Sequence, residues 1–364
     1  MREAGDKMRF FNIPVFVPHI GCKYNCVFCN QKKITGKKDA LDYAAVDCFI
    51  RQNLETIKKY SKGEKYVEIA FFGGSFTAID IDVQNALCHL AYKYVKSGEV
   101  NGIRCSTRPD AIDEECLCRL KKYGFTAIEL GVQSTDDEVL KKSGRGHTSD
   151  VVFSSARLIK KHGFSLGLQM MLGLLGDTRE KMFKTCDDII SLKPDCVRVY
   201  PTLVIEETPL FDLMKKGEYE PLSLEFTVDV LSEILEKFYK NGINVIRVGL
   251  QTTDEVNEKT VNGPYHAAIR EMAETLMYRK KIEKHILQNR SKSSENKING
   301  ETRENKADGE KTSKTEMIIF ANNRDIAAVS GYKKENKKYL WEKYHIDLKV
   351  KTENSLKKSE IKIL

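Results

Sequence analysis

The sequence predicts an α/β protein: a partial (β/α)6-type barrel followed by a small α+β appendage. Short apolar runs alternate with amphipathic helical stretches at intervals of roughly 30–40 residues, a pattern typical of βα units around a parallel sheet. About six or seven such units precede residue 251, fewer than a complete (β/α)8 barrel contains. In folds of this class the functional groups lie on the loops at the C-terminal ends of the strands.

The predicted strands are short apolar runs rich in β-branched and aromatic residues. In chain order they cover 13–18, 66–72, 103–107, 126–132, 165–172, 196–200 and 245–250. The first strand leads into the turn residues His19-Ile20-Gly21, and the second ends in Gly73-Gly74. Both turns therefore fall at the edge of the sheet where the site is expected.

The predicted helices between these strands carry apolar residues on one helical face, as Val46, Ile50 and Leu54 do in the first of them. Asp113 and Ser223 are expected N-caps, because their side chains can accept from the free amides of a first turn. Glycines that can adopt a left-handed conformation end several of these helices. The predicted helices start near Val46, Val83, Asp113, Val152, Thr178 and Ser223, and four of them end at Gly98, Gly124, Gly163 and Asn241-Gly242.

Three segments are predicted from the change of composition along the chain. Residues 1–280 form the barrel. Residues 284–315 are rich in Lys, Asn, Ser, Glu and Thr and are expected to be a disordered linker or insertion. Residues 316–364 regain apolar periodicity and are expected to be a small basic appendage.

Three cysteines, Cys22, Cys26 and Cys29, follow the first predicted strand at the spacing Cys-x3-Cys-x2-Cys. Thiolates are soft ligands that suit iron–sulfur clusters or zinc. A [4Fe–4S] cluster is usually held by four cysteines, so three with no fourth nearby would leave one iron open to a small molecule. The pattern therefore indicates a catalytic cluster rather than an electron-transfer centre.

Two alternatives remain open for this cysteine loop. Structural zinc needs four ligands, and His19 is a candidate fourth, but the sequence has no second Cys-x2-Cys and no His-x3-His pair. The other alternative is a group of reduced cysteines that pack in a core. A non-enzymatic iron–sulfur or zinc protein that binds RNA is thus the rival function.

Composition limits the class of protein. The chain has 364 residues, 41 % of them hydrophobic, enough to fill a sizeable core. Its ten cysteines show no disulfide framework, which favours a reducing cytoplasm. No secretory pattern precedes residue 13 and no run of about 18 apolar residues exists, so no membrane span is expected.

The net charge of +8 is unevenly distributed along the chain. Residues 317–364 contain 11 Lys/Arg and 6 Asp/Glu, which gives +5 of the total. A basic segment suggests an anionic partner such as tRNA or another RNA. The alternative is an ordinary solvated surface, since no arginine cluster or aromatic interleaving accompanies the lysines.

The cysteine loop, with Phe28 directly before the third cysteine, resembles that of the radical S-adenosylmethionine (SAM) enzymes. The resemblance implies a [4Fe–4S] cluster on Cys22, Cys26 and Cys29, and SAM bound at the open iron. It also implies reductive cleavage of SAM to a 5′-deoxyadenosyl radical, which abstracts hydrogen from a substrate. A reductant protein such as a ferredoxin or flavodoxin is the expected partner.

Further motifs at strand ends resemble the SAM-binding segments of this family. Gly73-Gly74 is similar to the family's glycine pair on the second strand, although Ser75 stands where the family has an acid. Gln133 and Arg145 resemble the Gln and Arg that contact SAM in oxygen-independent coproporphyrinogen III oxidase-like members. Gln169 falls where many relatives have a ribose-binding residue. Phe28, Gly73, Gly74, Gln133, Arg145 and Gln169 are therefore the expected cofactor-binding residues.

Over residues 10–270 the chain most resembles the radical SAM domain of the Elongator catalytic subunit and its bacterial relatives. The resembling segments are Ser106–Asp110, Glu129–Ser134, Val199–Ile205 and Arg247–Gln251. No segment after residue 280 has the length or pattern of an acetyltransferase domain, so acetyl transfer is not implied. The oligomeric state, the substrate and the catalytic residues that contact it are left undetermined.

Overall fold

The computed structural model describes residues 8–17, 22, 24–29, 41–250, 259–298 and 315–364. The strands of its first 250 residues are β1 (Arg9–Val17), β2 (Lys65–Gly73), β3 (Gly102–Thr107), β4 (Phe125–Gln133), β5 (Ser165–Leu172), β6 (Cys196–Pro201), β7 (Val204–Ile205) and β8 (Asn244–Val248). All except β7 form one sheet in the order β1-β2-β3-β4-β5-β6-β8. The strands are parallel and the sheet curls into a half-barrel, which confirms the predicted partial barrel.

Helices connect these strands. They are α1 (Tyr43–Tyr60), α2 (Ile81–Lys96), α3 (Glu114–Lys122), α4 (Asp137–Lys142), α5 (Ser149–Lys161), α6 (Arg179–Ser191), α7 (Pro209–Lys215) and α8 (Leu224–Lys240). The N-caps predicted at Asp113 and Ser223 are confirmed, because their side chains accept from the amides of Cys116 and Phe226. The short helices α4 and α7 were not predicted.

Three phenylalanines pack the turn that follows β2 against β2 and β4. The ring centroids of Phe71 and Phe76 lie 4.6 Å apart, and the ring of Phe125 lies 5.6 Å from that of Phe76. All three side chains are buried. Burial of one large apolar side chain stabilises a fold by about 1.5–3 kcal/mol, so the three rings together contribute several kcal/mol. The turn after β2 is therefore packed against the end of β2 and the start of β4.

The chain divides into two compact units, Met1–Pro221 with Leu250–Gly263 and Leu222–Gly249 with Pro264–Leu364. The first unit also contains β9 (Thr260–Asn262), which pairs antiparallel with β7. The second contains α9 (Ile269–Ile298), β10 (Thr315–Ala321), α10 (Ile326–Ser330), α11 (Glu335–Tyr344), β11 (Ile346–Thr352) and β12 (Ile361–Ile363). Its three strands form a sheet in which β10 lies between a parallel β11 and an antiparallel β12.

The structure differs from the sequence-based prediction at residues 280 and 284, because α9 runs without a break through both positions. Tyr278, Ile282 and Ile286, spaced four residues apart on α9, are buried in one apolar cluster with residues of β10 and α11. The polar composition of 284–298 hid this helix, since Lys and Glu are good helix formers as well as common linker residues. Residues 299–314, the rest of the predicted linker, lie outside the described residues.

The search for a membrane span was confined to the described part of the chain. No helix there combines the length and the apolar character that crossing a bilayer requires.

Candidate active site

The cysteine loop lies at the C-terminal edge of the sheet, after β1, and backbone hydrogen bonds hold it in place. The amide of Val27 donates to the carbonyl of Ser143 at 3.1 Å, and the amide of Leu210 donates to the carbonyl of Val27 at 2.8 Å. The amide of Cys29 donates to the carbonyl of Cys26 at 3.0 Å, which closes a turn. The segment that follows α4 and the first turn of α7 thus fix the loop, although neither helix was predicted.

The three thiols of the loop lie in different surroundings. Cys26 is buried, and its Sγ lies 3.4 Å from Nη1 of Arg145. The Sγ of Cys22 lies 3.6 Å from the hydroxyl of Ser75, the residue found where the resembling family has an acid. Burial, and then the nearby Cys26 and Cys22 sulfurs, raise the pKa of the Cys29 thiol to about 11. A bare thiolate is therefore disfavoured at Cys29, and bound metal would supply the missing positive charge.

The chemistry of this donor set fits an iron–sulfur cluster. Cysteine thiolates bind the iron atoms of such a cluster, and each of three cysteines ligates a different iron of a cubane. The three sulfurs therefore do not need to converge on one point. Within the described residues, no group of three His, Cys, Asp or Glu side chains converges in the way that a single metal ion requires. The three thiols of one loop thus match the predicted cluster in type and number.

Gly73 and Gly74 lie where β2 passes the end of β1. Gly73 has a φ of +104°, and a Cβ at this position would lie 2.7 Å from the carbonyl oxygen of Val17. The amide of Gly74 donates to the same oxygen at 3.2 Å. Position 73 therefore requires glycine because the end of β1 comes so close to it. This position lies next to the expected contact with SAM.

Gln133, Gln169 and Arg145 come together at the ends of β4 and β5. The side-chain amide of Gln169 donates to Oε1 of Gln133 at 3.0 Å, and Nη2 of Arg145 donates to the carbonyl of Gly131 at 2.5 Å. A Cβ on Gly131 would lie 3.1 Å from Nε2 of Gln133 and 3.7 Å from Nη2 of Arg145, so the glycine makes room for both side chains. The structure thus places side by side three residues that the sequence separates by up to 36 positions.

A local irregularity of β4 aims Gln133 into this group. The register between β4 and β5 shifts between Gly131 and Gln133, and Gln133 has a φ of +69°. A positive φ is uncommon for a residue other than glycine and is concentrated at functional sites. The alternation of the strand did not reveal this bulge.

Phe28 has apolar neighbours outside the cysteine loop. It packs with Val27 against an apolar cluster formed by Val204, Leu210 and Tyr219. The hydroxyl of Tyr219 donates to the carbonyl of Gly173 at 2.7 Å. In this structure Phe28 therefore has a packing role that stabilises the cysteine loop.

Sequence reasoning missed Arg108, which lies directly after β3 and beside the cysteine loop. Its guanidinium is buried, pairs with Asp110 at 2.8 Å, and has its Cζ 4.9 Å from the centre of the Tyr24 ring. The segment Ser106–Asp110 was noted only as a resembling motif. The signal that could have found Arg108 is an arginine at the C-terminal end of a buried strand, where functional groups are expected.

The barrel interior holds a chain of buried ion pairs below this site. Arg104 pairs with Glu68 at 2.7 Å and with Glu129 at 3.0 Å, and Glu129 pairs with Arg198 at 2.6 Å. Burial alone would lower the pKa of Arg198, but the hydrogen bonds and charge of Glu129 raise it above its ordinary value. Glu129 therefore pairs with two arginines in the barrel interior.

Comparison with known proteins gives matches to two family profiles, the Radical SAM superfamily over residues 16–189 and the Radical_SAM C-terminal domain over residues 194–279. A tRNA uridine(34) acetyltransferase of Methanocaldococcus jannaschii is 33 % identical over 202 residues, which are 50 % of this chain and 37 % of the relative. Human Elongator complex protein 3 is 32 % identical over 254 residues, 60 % of this chain and 46 % of the relative. The chain thus spans less than half the length of these curated relatives.

Among solved structures, Elp3 of Methanocaldococcus infernus with an N-terminal deletion has a similar fold. The TM-score is 0.61 at 24 % identity, and the match covers 76 % of this chain and 64 % of that structure. The two profile matches together account for most of the residues from 16 to 279. This chain therefore belongs to the radical SAM superfamily of enzymes, whose cofactors are a [4Fe–4S] cluster and SAM.

Proposed function

We propose that Cys22, Cys26 and Cys29 hold the [4Fe–4S] cluster. When bound, the cluster and SAM supply a 5′-deoxyadenosyl radical by reductive cleavage, and the radical abstracts hydrogen from the substrate. The observation that carries this proposal is the cysteine loop itself: three thiols within eight residues, with a guanidinium 3.4 Å from the middle sulfur. Superfamily membership supports an enzyme over a non-enzymatic zinc or iron–sulfur protein.

We also propose that the group formed by Gln133, Arg145 and Gln169 binds the amino acid and ribose parts of SAM. A guanidinium can hold a carboxylate through two parallel hydrogen bonds, and the two side-chain amides can bond hydroxyl or carboxylate oxygens. Nε of Arg145 is buried without a hydrogen-bond partner in the described structure, which leaves a donor for a ligand. Gly73 and Gly74 would contribute backbone groups, and Phe28 an apolar wall.

The burial of this group has a consequence for the chemistry that the chain supports. Arg145 is almost fully buried, and burial lowers the pKa of its guanidinium, with the nearby Arg108 acting in the same direction. An anionic ligand would relieve this cost, because a buried charge is tolerated when it is paired. The site is therefore suited to hold a carboxylate away from water and to shield a reactive species from it.

Turnover of SAM tests this function. The full chain would be purified anaerobically, its cluster reconstituted, and dithionite and SAM added, with 5′-deoxyadenosine measured by liquid chromatography. We expect product in proportion to bound iron, and none from a Cys26→Ala variant. A wild-type protein with a verified cluster that yields no more product than this variant would overturn the proposal.

We propose tRNA or another RNA as the substrate class. The relatives that share the radical SAM region include a protein named for acetyl transfer to tRNA uridine, although the shared residues cover only 37 % of it. Acetyl transfer itself is not proposed. Residues 317–364 add a charge of +5, and lysines such as Lys333, Lys338 and Lys351 are exposed there, where they can meet phosphates.

Two further proposals follow from the cofactors. A reductant protein such as a ferredoxin or flavodoxin would supply the electron in the cell. The location would be the reducing cytoplasm, since the ten cysteines are all free thiols in this structure and a cluster is assembled on reduced cysteines.

A further inference from the structure

Two guanidinium groups, not one, approach the sulfur of Cys26. Nη1 of Arg145 lies 3.4 Å from Sγ, and Nη1 of Arg108 lies 3.9 Å from the same atom. The three residues come from loops separated by 82 and 119 positions in the chain. All three are about 5 % exposed, so the contact is shielded from water and from salt.

The remaining donors of Arg108 are occupied, which leaves Nη1 directed at the sulfur. Nε and Nη2 of Arg108 donate to the two carboxylate oxygens of Asp110 at 2.8 and 3.2 Å. Nη2 also donates to the backbone carbonyl of Arg145. The ring of Tyr24 covers one face of the guanidinium at 4.9 Å. A group that is held on three sides keeps its position when the charge on the sulfur changes.

Charge on this side of Cys26 does not balance. Arg108 and Arg145 carry two positive charges, and among the described residues Asp110 is the carboxylate that pairs with Arg108, which leaves one positive charge beside the sulfur. A buried charge of this kind needs a negative partner. The thiolate of a metal-bound Cys26 is that partner, and it gains negative charge when the cluster accepts an electron.

We propose that Arg108, acting with Arg145 on the Cys26 thiolate, is a positioning residue that makes reduction of the cluster easier. The inference rests on the proposed role of Cys26 as a cluster ligand. Hydrogen bonds to cluster sulfurs and nearby charge are main determinants of the reduction potential. A fixed positive charge stabilises the reduced, more negative form more than the oxidised form, so it raises the potential.

Arg108 is the better of the two arginines to test, because Arg145 is also expected to bind SAM. The Arg108→Gln variant of the full chain would be reconstituted anaerobically, its iron content measured, and its midpoint potential determined without SAM by a redox titration followed by electron paramagnetic resonance. We expect full iron content and a roughly tenfold less favourable one-electron reduction, which corresponds to a midpoint potential about 59 mV lower. Arg157→Gln, which removes an exposed arginine from α5, is the charge-matched control and should leave the potential unchanged.

The outcomes separate the inference from the proposed function. An Arg108→Gln protein with full iron and an unchanged potential overturns the inference and leaves the assignment of the cysteines intact. A Cys26→Ala protein that retains the cluster of the wild type overturns the assignment itself, because alanine has no donor atom for iron. If Arg108→Gln does not hold iron, Arg108→Met is measured instead, because it also removes the positive charge and its flexible, unbranched side chain can fill the buried position. A lower potential in that variant supports the inference, and an unchanged one overturns it.

Discussion

The side-chain amide of Gln169 donates a hydrogen bond of 3.0 Å to Oε1 of Gln133, and this contact joins the ends of β4 and β5 beside Arg145. Gln133 adopts a positive φ at this point, so its backbone is strained while its side chain is held. Strain that is retained in a buried side-chain group is a common feature of ligand sites. The contact therefore marks the place where a polar cofactor is expected.

We expect Gln169→Leu to weaken SAM binding by roughly 2- to 10-fold, because a hydrogen bond to a neutral group such as a ribose hydroxyl contributes roughly 0.5–1.5 kcal/mol. Equilibrium dialysis of radiolabelled SAM against the reconstituted protein would measure the change. Iron content should stay at the wild-type value, since Gln169 has no contact with the cysteine loop among the described interactions. Gln52→Leu on the exposed face of α1 is the control, and equal affinity of the two variants would remove Gln169 from the site.

Much of this architecture was predictable, and the reason lies in particular residues. The buried runs of β2 to β6 and caps such as Asp113 are signals that short stretches of sequence contain. Because strands and helices alternate along the chain, the strand order of a parallel half-barrel follows from the order of the elements. The cysteine loop follows β1 directly, and strand ends meet at one edge of such a sheet. Gln133, Arg145 and Gln169 were therefore placed together before their contacts were known.

The contacts that were not predictable depend on distant partners. The guanidinium of Arg108 reaches Cys26 only because Asp110 and Tyr24 orient it, and no local pattern specifies that direction. The extension of α9 was missed for a different reason. Its polar sequence suits a linker, and the signal for a helix was the buried pair Ile282 and Ile286 at a spacing of four residues.

Gly73→Ala should destabilise the fold and reduce iron binding. The new Cβ would lie 2.7 Å from the carbonyl oxygen of Val17, at a φ of +104° that L residues rarely adopt. We expect a loss of about 1–3 kcal/mol in the free energy of unfolding from the strained backbone, and a further loss from the clash. Thermal denaturation and iron analysis measure the two effects.

Gly98→Ala is the matched control for this substitution. Gly98 also has a positive φ, of +74°, but no atom lies within 4 Å of the position of its Cβ. The free energy of unfolding of Gly98→Ala should therefore fall only by the cost of the strained backbone, roughly 1–2 kcal/mol, and the variant should keep its iron. If both variants lose equal stability and equal iron, the close approach of β1 and β2 has no special role at the site.

Glu129→Gln should destabilise the barrel by roughly 3–5 kcal/mol, because it leaves the buried guanidiniums of Arg104 and Arg198 without their shared carboxylate. Urea denaturation followed by circular dichroism would measure the change. The comparison is Glu114→Gln, which removes an exposed carboxylate from Lys161 and His162 and should leave the urea midpoint nearly unchanged, because exposed ion pairs are screened by solvent. Equal losses of stability in the two variants would show that the interior ion pairs contribute no more to folding than the exposed one does.

Binding of tRNA, if the basic C-terminal segment contributes to it, should depend steeply on salt. Release of counterions from each neutralised phosphate lowers the logarithm of the affinity linearly with the logarithm of salt concentration. The double variant Lys333→Gln, Lys338→Gln should reduce this slope by about one to two units, at about 0.9 for each lost contact with a duplex. Fluorescence anisotropy with labelled tRNA measures both quantities. A wild-type affinity that is insensitive to salt would exclude this segment as a phosphate-binding surface.

The pH dependence of stability should show the titration of a half-buried carboxyl group, that of Asp177 in the loop after β5. Burial raises the pKa of Asp177 to about 7, although the amides of Gly173, Leu174 and Thr178 act in the opposite direction. Because the pKa in the folded state lies above that of the unfolded chain, the contribution to stability is fully present at acid pH and is lost as the pH rises through about 7.

The test of this dependence is a series of urea denaturations of the wild type and of Asp177→Asn between pH 5 and pH 8. The free energy of unfolding of the wild type should fall over this range relative to that of the variant, because the amide has no proton to lose. Asp82→Asn, at an exposed aspartate in the first turn of α2, should keep the wild-type slope. Parallel curves for the wild type and Asp177→Asn would contradict this prediction, because they would mean that the carboxylate of Asp177 is already ionised at pH 5 in the folded protein.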